Sequence, residues 1–258
     1  MSTFTVEPIK AFNDNYIWAL RNDREKKVTL VDPGDANPVI DYLQQHQLTL
    51  DSILITHYHR DHVGGIKRLK AMSSCHVYGP SAETIPDLDT PLCEQDNVVI
   101  EHLQTTFRVL DVPGHTLGHI AYYAEPALFC GDTLFAGGCG RMFEGTPPQF
   151  LSSLTKLANL PAATKVYCAH EYTQSNLKFA QAVEPDNAEL KARISQVEQL
   201  RLKGQPTVPS LLGEECQTNP FLRCQQPSVV AAAETFCAEP LSTPSAVFAT
   251  IRRWKDTF

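Results

Sequence analysis

The chain has 258 residues, 43% of them hydrophobic and 20% charged, an ordinary globular composition that excludes a mostly disordered polymer. With 22 Lys and Arg against 29 Asp and Glu, the net charge is −7, which argues against a nucleic-acid partner, because phosphates are held by clustered cations. No run approaches the roughly 18 apolar residues of a membrane helix, and Glu7 and Lys10 stand where a signal peptide would be apolar, so the expectation is a soluble cytoplasmic protein with no membrane partner.

Residues 4–9, 16–20 and 28–31 read as strands, and Asp32-Pro33-Gly34 closes the third with a turn. Residues 38–45 have helical spacing, with Val39, Ile40 and Leu43 on one face. An apolar strand at 53–55, a histidine-rich loop and a helix over 65–72 follow. Strands come next at 77–78, 98–100, 107–112, 120–123 and 127–130, then a helix at 150–157 and a last strand at 166–168. After His170 the character changes: 176–183 and 188–202 are helical in period and rich in good helix formers. A proline-containing stretch covers 204–220, and helices at 229–236 and 245–254 complete the pattern, with no comparable strand signal. The predicted organisation is a β-rich domain over 1–173 and an all-helical domain over 174–258.

The eight cysteines are scattered without a CxxC pair, so they read as reduced thiols with no catalytic role and not as a disulfide framework. Cys139, set between glycines, is a weak nucleophile candidate.

The sharpest feature is Thr56-His57-Tyr58-His59-Arg60-Asp61-His62, three imidazoles and a carboxylate directly after the 53–55 strand. Such donors suit zinc, iron, manganese and related ions. His57 and His59 are two apart, so an extended backbone points both to one side. Three more candidates share one context: His115, Asp132 and His170 each follow an apolar strand. Strand ends lying side by side would bring these groups to one sheet edge. Five histidines and two aspartates make seven ligands, which fits two ions with three private ligands each and one bridging carboxylate, the arrangement of many hydrolases. Among the other histidines, His46 and His102 read as surface and His76 as structural, while His119 is either structural or placed to orient a ligand from behind.

The HxHxDH loop, the later Gly-His, Gly-Asp and Ala-His sites, and their order resemble the metallo-β-lactamase superfamily. Leu30-Val31-Asp32-Pro33-Gly34, Gly131-Asp132-Thr133-Leu134-Phe135, Gly138-Cys139-Gly140-Arg141, His170-Glu171-Tyr172-Thr173, Asn176-Leu177-Lys178-Phe179-Ala180 and Arg252-Arg253-Trp254-Lys255-Asp256 are further similar to the glyoxalase II, or hydroxyacylglutathione hydrolase, family. The resemblance covers essentially the whole chain. It implies an α+β fold, an αββα metallo-β-lactamase-like sandwich followed by a smaller all-helical C-terminal domain.

Carried over residue by residue, it implies two divalent ions per chain, zinc first, with iron or manganese also admitted by these donors. His57, His59 and His115 would hold one, Asp61, His62 and His170 the other, and Asp132 would bridge them. Arg141 and the backbone near Phe143, with Tyr172, would meet glutathione, and Arg252 and Lys255 its glycine carboxylate. Relatives can carry Tyr where Phe143 stands, so one hydroxyl contact is missing here. The implied reaction is hydrolysis of S-D-lactoylglutathione to D-lactate and glutathione by a metal-bridging hydroxide, with Asp61 orienting it or shuttling its proton, in methylglyoxal detoxification by a monomer. The alternative is a persulfide dioxygenase-like enzyme of the same superfamily with a single iron, which would consume oxygen.

Overall fold

The structure, a computed structural model, describes residues 4–258. By packing, the chain divides into two compact units, one of residues up to Asp111 with Gly118–Gly131, the other of Val112–Leu117 with Asp132–Phe258.

The first unit opens with β1 (Thr5–Ala11), β2 (Asn15–Arg21), β3 (Lys27–Val31), α1 (Ala36–His46), β4 (Thr49–Leu54), α2 (Arg60–Val63), α3 (Ile66–Met72), β5 (His76–Pro80) and β6 (Thr90–Leu92). These strands form one sheet in the order β1-β2-β3-β4-β5-β6, antiparallel from β1 to β3 and parallel from β3 to β6. Parallel neighbours need crossover connections: α1 lies in the one from β3 to β4 and α3 in the one from β4 to β5, while β5 reaches β6 through a loop. Asp35 caps α1 by accepting from Asn37 N, and Val39 and Ile40 turn inward. They pack with Ile66 and Leu69 of α3 on Leu30, Ile53 and Val77 of the strands. Burying each such side chain fully contributes about 1.5–3 kcal/mol.

The second sheet of this unit is an antiparallel meander of β7 (Asn97–Ile100), β8 (Thr105–Asp111), β9 (Ile120–Ala124) and β10 (Ala127–Gly131). It is tied to the first sheet by the Phe4–Phe107 ring contact at 5.7 Å and by Tyr122 Oη, which donates to Ile55 O at 2.8 Å. His102, expected at the surface, is instead buried on this unit's polar seam, with Nδ1 3.3 Å from Asp51 and Nε2 3.5 Å from Thr29 Oγ1.

The second unit contains β11 (Leu134–Phe135), β12 (Gly138–Cys139), α4 (Pro147–Ala158), β13 (Lys165–Cys168), α5 (Thr173–Val183), α6 (Ala188–Leu202), β14 (Ser210–Leu211), α7 (Leu212–Thr218), α8 (Pro227–Cys237) and α9 (Pro244–Thr257). β11 and β12 form a two-stranded ribbon, and β14 pairs with β13. Phe150, Phe248, Phe221 and Phe179 form an aromatic spine with successive ring centroids 5.7, 5.8 and 5.9 Å apart. A buried polar knot joins α6 to α7, where Arg193 pairs with Glu215 and donates to Thr218 Oγ1 at 2.6 Å.

The 204–220 stretch, read from sequence only as proline-containing, holds the two-residue β14 and α7 among the helices of the C-terminal part. Both were hidden for a physical reason. β14 has two residues, too few for a period, and α7 buries Glu215 and Thr218, polar residues that mask an inward face.

Candidate metal centre

β4 delivers its last apolar residues into the core, and the chain leaves the sheet at Thr56 into the histidine loop. His57 and His62 are fully buried, while His59 and Asp61 are partly exposed. Asp32, at the end of β3, organises this loop. It accepts from Thr56 N at 2.8 Å and from Thr56 Oγ1 at 2.7 Å, and its Oδ2 lies 3.0 Å from His62 Nδ1. A carboxylate only accepts, so Nδ1 of His62 carries the hydrogen and Nε2 keeps its lone pair. Thr56 Oγ1, having donated to Asp32, is 3.1 Å from His57 Nδ1 and accepts from it, which leaves His57 Nε2 bare as well. Fixing the far nitrogen this way is how proteins orient metal-ligating histidines.

His57 Nε2 stands 3.1 Å from His59 Nδ1, about the separation of two nitrogens around a common ion when each bond is about 2.0–2.1 Å. His62 Nε2 is 3.5 Å from Asp61 Oδ2, which also accepts from Asn15 Nδ2 at 2.9 Å. Ligand atoms of Asp32, His57 and His62 all lie within 4.8 Å of one another. His119 stacks on His57 with centroids 4.5 Å apart and its Nδ1 donates to Ile120 O, so it orients His57 by packing. The turn after Asp32 must be glycine, because a Cβ on Gly34 would stand 1.7 Å from Asp61 O.

The second unit gathers the remaining expected ligands. His115 Nε2 lies 3.4 Å from Asp132 Oδ2, and His170 Nε2 lies 3.3 Å from Asp132 Oδ1. His115 Nδ1 is 2.7 Å from Arg141 O, a carbonyl that can only accept, so His115 turns a lone pair toward the carboxylate. A lone pair facing a carboxylate oxygen is repulsive unless a cation or proton is shared, so this donor set fits a divalent ion. His170 stacks on Tyr172 with centroids 4.7 Å apart, and Phe135 meets both rings edge-on.

Four more expected site residues share this unit. Phe143 is exposed, its ring 5.2 Å from that of His115, and exposed Arg141 lies over it at 5.5 Å. Lys255 is half-buried over the Phe179 ring at 5.6 Å; burial lowers its pKa and Arg252 lowers it further. Arg252 is buried, with Nη1 donating to Cys139 O at 3.1 Å and Gly140 O at 3.4 Å, and Nη2 to Asp256 at 3.2 Å. Cys139 is buried, and desolvation pushes its pKa up to about 11, so it is a neutral thiol and not a nucleophile. The eight cysteines, all among the described residues, form no disulfide.

Sequence reading missed Asp32, Thr56 and Asn15 as site residues. A signal for Asp32 was present, since Asp32 follows an apolar strand as His115, Asp132 and His170 do, but its Pro-Gly neighbours mark it first as a turn residue. Asn15 had none, because the bond to Asp61 spans 46 positions.

The sequence matches the metallo-beta-lactamase superfamily over residues 13–170, and the mixed sheets and helices are those of that fold, so the class of protein is a metallo-β-lactamase-like α+β protein. It also matches the hydroxyacylglutathione hydrolase C-terminus over residues 171–258. A hydroxyacylglutathione hydrolase of Ectopseudomonas mendocina is 53% identical, covering 98% of this chain and 99% of its own. One of Alkalilimnicola ehrlichii is 54% identical, covering 96% of this chain and 97% of its own. Among solved structures, the B3 metallo-beta-lactamase BLEG-1 is similar with a TM-score of 0.63 and 26% identity, covering 85% of this chain and 99% of its own. The chain belongs to the hydroxyacylglutathione hydrolase family. The dioxygenase alternative is not favoured, and the family together with the His/Asp clusters indicates a divalent-metal site. No helix among the described residues is long and apolar enough to cross a membrane.

Proposed function

We propose that this chain hydrolyses S-(2-hydroxyacyl)glutathione thioesters, with S-D-lactoylglutathione giving D-lactate and glutathione in methylglyoxal detoxification. The observation that carries this reading is identity above 50% with curated hydroxyacylglutathione hydrolases over nearly the whole chain, including the part that matches the hydroxyacylglutathione hydrolase C-terminus. The protein acts as a cytoplasmic monomer, and 1–173 and 174–258 serve as its metal-binding and substrate-binding domains.

His57, His59 and His115 would hold one divalent ion, zinc foremost, Asp61, His62 and His170 would hold a second, and Asp132 would serve both. When bound, the ions supply a water of lowered pKa and a positive charge for the thioester carbonyl oxygen. The chain's own groups do the rest. Asp61 orients the attacking water and takes or returns its proton. Asp32 and Thr56 hold His62 and His57 in the tautomers that present Nε2, as their hydrogen bonds support. Arg141, Phe143 and Tyr172 receive the glutathione moiety, and Arg252 and Lys255 receive its glycine carboxylate. Phe143 offers its ring and neighbouring backbone but no hydroxyl. The leaving group is a thiolate, which needs no general acid comparable to that of an amine.

The test is hydrolysis of S-D-lactoylglutathione by the purified protein before and after chelation, paired with elemental analysis. The expected result is turnover that a chelator abolishes and zinc restores. Turnover unaffected by metal removal would reject the reading.

A further inference from the structure

β4 ends at Leu54, and Ile55 and Thr56 carry the chain from the sheet to the first histidine. Ile55 N still pairs, donating to Tyr78 O of β5 at 2.9 Å. Its carbonyl lies past the last residue pair of the parallel ladder. Ile55 and Thr56 are fully buried, so their carbonyls need donors from the protein. β9, in the second sheet of the same unit, supplies both. Tyr122 Oη donates to Ile55 O at 2.8 Å, and Ile120 N donates to Thr56 O at 2.9 Å. Tyr122 is fully buried, and a phenylalanine would fill the same space. What the hydroxyl adds is the bond to Ile55 O, at a position where an unpaired hydroxyl would be costly. Burial holds the phenol pKa well above its ordinary value, so the proton stays available for donation.

The peptide between Ile55 and Thr56 fixes two groups that face the ligands. Thr56 N donates to Asp32 Oδ1 at 2.8 Å, and Thr56 Oγ1 stands between Asp32 Oδ2 at 2.7 Å and His57 Nδ1 at 3.1 Å. A rotation of that peptide would therefore carry Thr56 Oγ1 away from His57. The residue before β9, His119, stacks on the His57 ring with centroids 4.5 Å apart and planes 17° apart. Gly131, at the end of β10, packs close behind Thr56 and His119. Its φ is +48°, and a Cβ there would stand 2.3 Å from Thr56 Oγ1 and 2.9 Å from the His119 ring. There is no spare room into which Thr56 could drift.

We propose that Tyr122 is a positioning residue of the metal-binding loop: by donating to Ile55 O it sets the peptide that carries Thr56, and through Thr56 it presets His57 before an ion arrives. The start of β9 is thus a template for the first ligand, and this assignment rests on the metal-hydrolase reading above. A residue that only presets a ligand changes metal affinity and leaves substrate binding alone.

The test compares wild type, Tyr122→Phe, Thr56→Val and the double variant as full-length proteins. Phe107→Leu, in the same unit's core and away from the loop, serves as a stability control. Zinc affinity is read by chelator competition, and amide exchange is followed in the metal-free proteins. The lost bond should weaken zinc binding about 3–10-fold in Tyr122→Phe. Thr56→Val removes a direct partner of a ligand and should cost about 10–100-fold. In the double variant, the Tyr122 effect should shrink, because it acts through Thr56. The Thr56 and Ile120 amides should exchange faster in Tyr122→Phe, relative to those within β4. Saturating zinc should restore hydrolysis of S-D-lactoylglutathione with KM unchanged. Wild-type zinc affinity in Tyr122→Phe, or additive losses in the double variant, would overturn the proposal. So would an equal loss of zinc affinity in Phe107→Leu at a matched fall in Tm, which would make Tyr122 merely structural. If the wild type itself fails to hydrolyse the thioester, the functional reading fails, while zinc affinity still decides the positioning claim.

Discussion

His57, His59, Asp61 and His62 lie within six residues and are oriented from the adjacent strand ends by Asp32 and Thr56. His115, Asp132 and His170 are spread over more than fifty positions, and their surroundings are held by a ribbon, a loop carbonyl and buried side chains from three helices and the residue after α7. The first group is contiguous in sequence and takes its support from neighbouring strands, Asp32 lying 30 positions from His62 and Asn15 46 from Asp61; the second is itself dispersed, and the bonds around it reach 113 positions, from Arg252 to Cys139. The dispersed group is therefore exposed to changes in more parts of the chain.

The largest expected effect breaks the dispersed group at its hub. Asp132→Ala removes the carboxylate that both His115 and His170 face. Because charge stabilisation by a metal is worth several kcal/mol, kcat/KM should fall by about 10³-fold or more, and elemental analysis should show a larger metal loss than in His57→Ala. Retention of full metal and turnover would remove Asp132 from the centre.

A smaller effect tests the local group. Asp32→Ala leaves His62 Nδ1 and Thr56 without their shared acceptor, and metal affinity should fall by about 10–100-fold. Asp32→Asn should recover part of it, read by chelator competition, because the amide oxygen still accepts. Equal affinities for wild type, Asn and Ala would mean that the loop orients its histidines without Asp32.

The same contrast explains what was legible in sequence. The HxHxDH run, the strand ends before His115, Asp132 and His170, and the helical C-terminal periods are all short-range signals, so the ligand candidates and the strand-to-helix change could be read directly. Contacts such as Asn15 to Asp61 or Asn219 to Gly138 leave no local trace, because nothing in the neighbours of Asn15 or Asn219 points to a partner 46 or 81 positions away. Arg252 shows the limit most clearly. The resemblance implies that it meets the glycine carboxylate with Lys255, and no sequence signal announces that its guanidinium also donates to the carbonyls of Cys139 and Gly140.

Lys255 sharpens the substrate side of the comparison. Lys255→Ala should raise KM for the glutathione thioester by about 3–10-fold, since a partly exposed charged contact is worth about 1 kcal/mol, and leave kcat nearly unchanged. A short thioester should be unaffected, and an equal effect on both substrates would take Lys255 out of the substrate site.

The smallest effect lies away from the metal ligands. Burial holds the pKa of His102 below its ordinary value despite Asp51 nearby, so the folded state prefers the neutral ring. That preference is present above the unfolded pKa of about 6.5 and is lost as pH falls through the folded value. In urea melts, the wild type should lose more stability than His102→Gln between pH 7.5 and the acid side of that window. Parallel losses would mean that His102 is solvated and silent.

The account stands most directly on metal stoichiometry. Chelator-stripped protein titrated with zinc, while hydrolysis of S-D-lactoylglutathione is followed, should regain activity along a curve that saturates at two ions per chain. Saturation at one ion, or full turnover with none, would contradict the shared role of Asp132 and with it the paired centre.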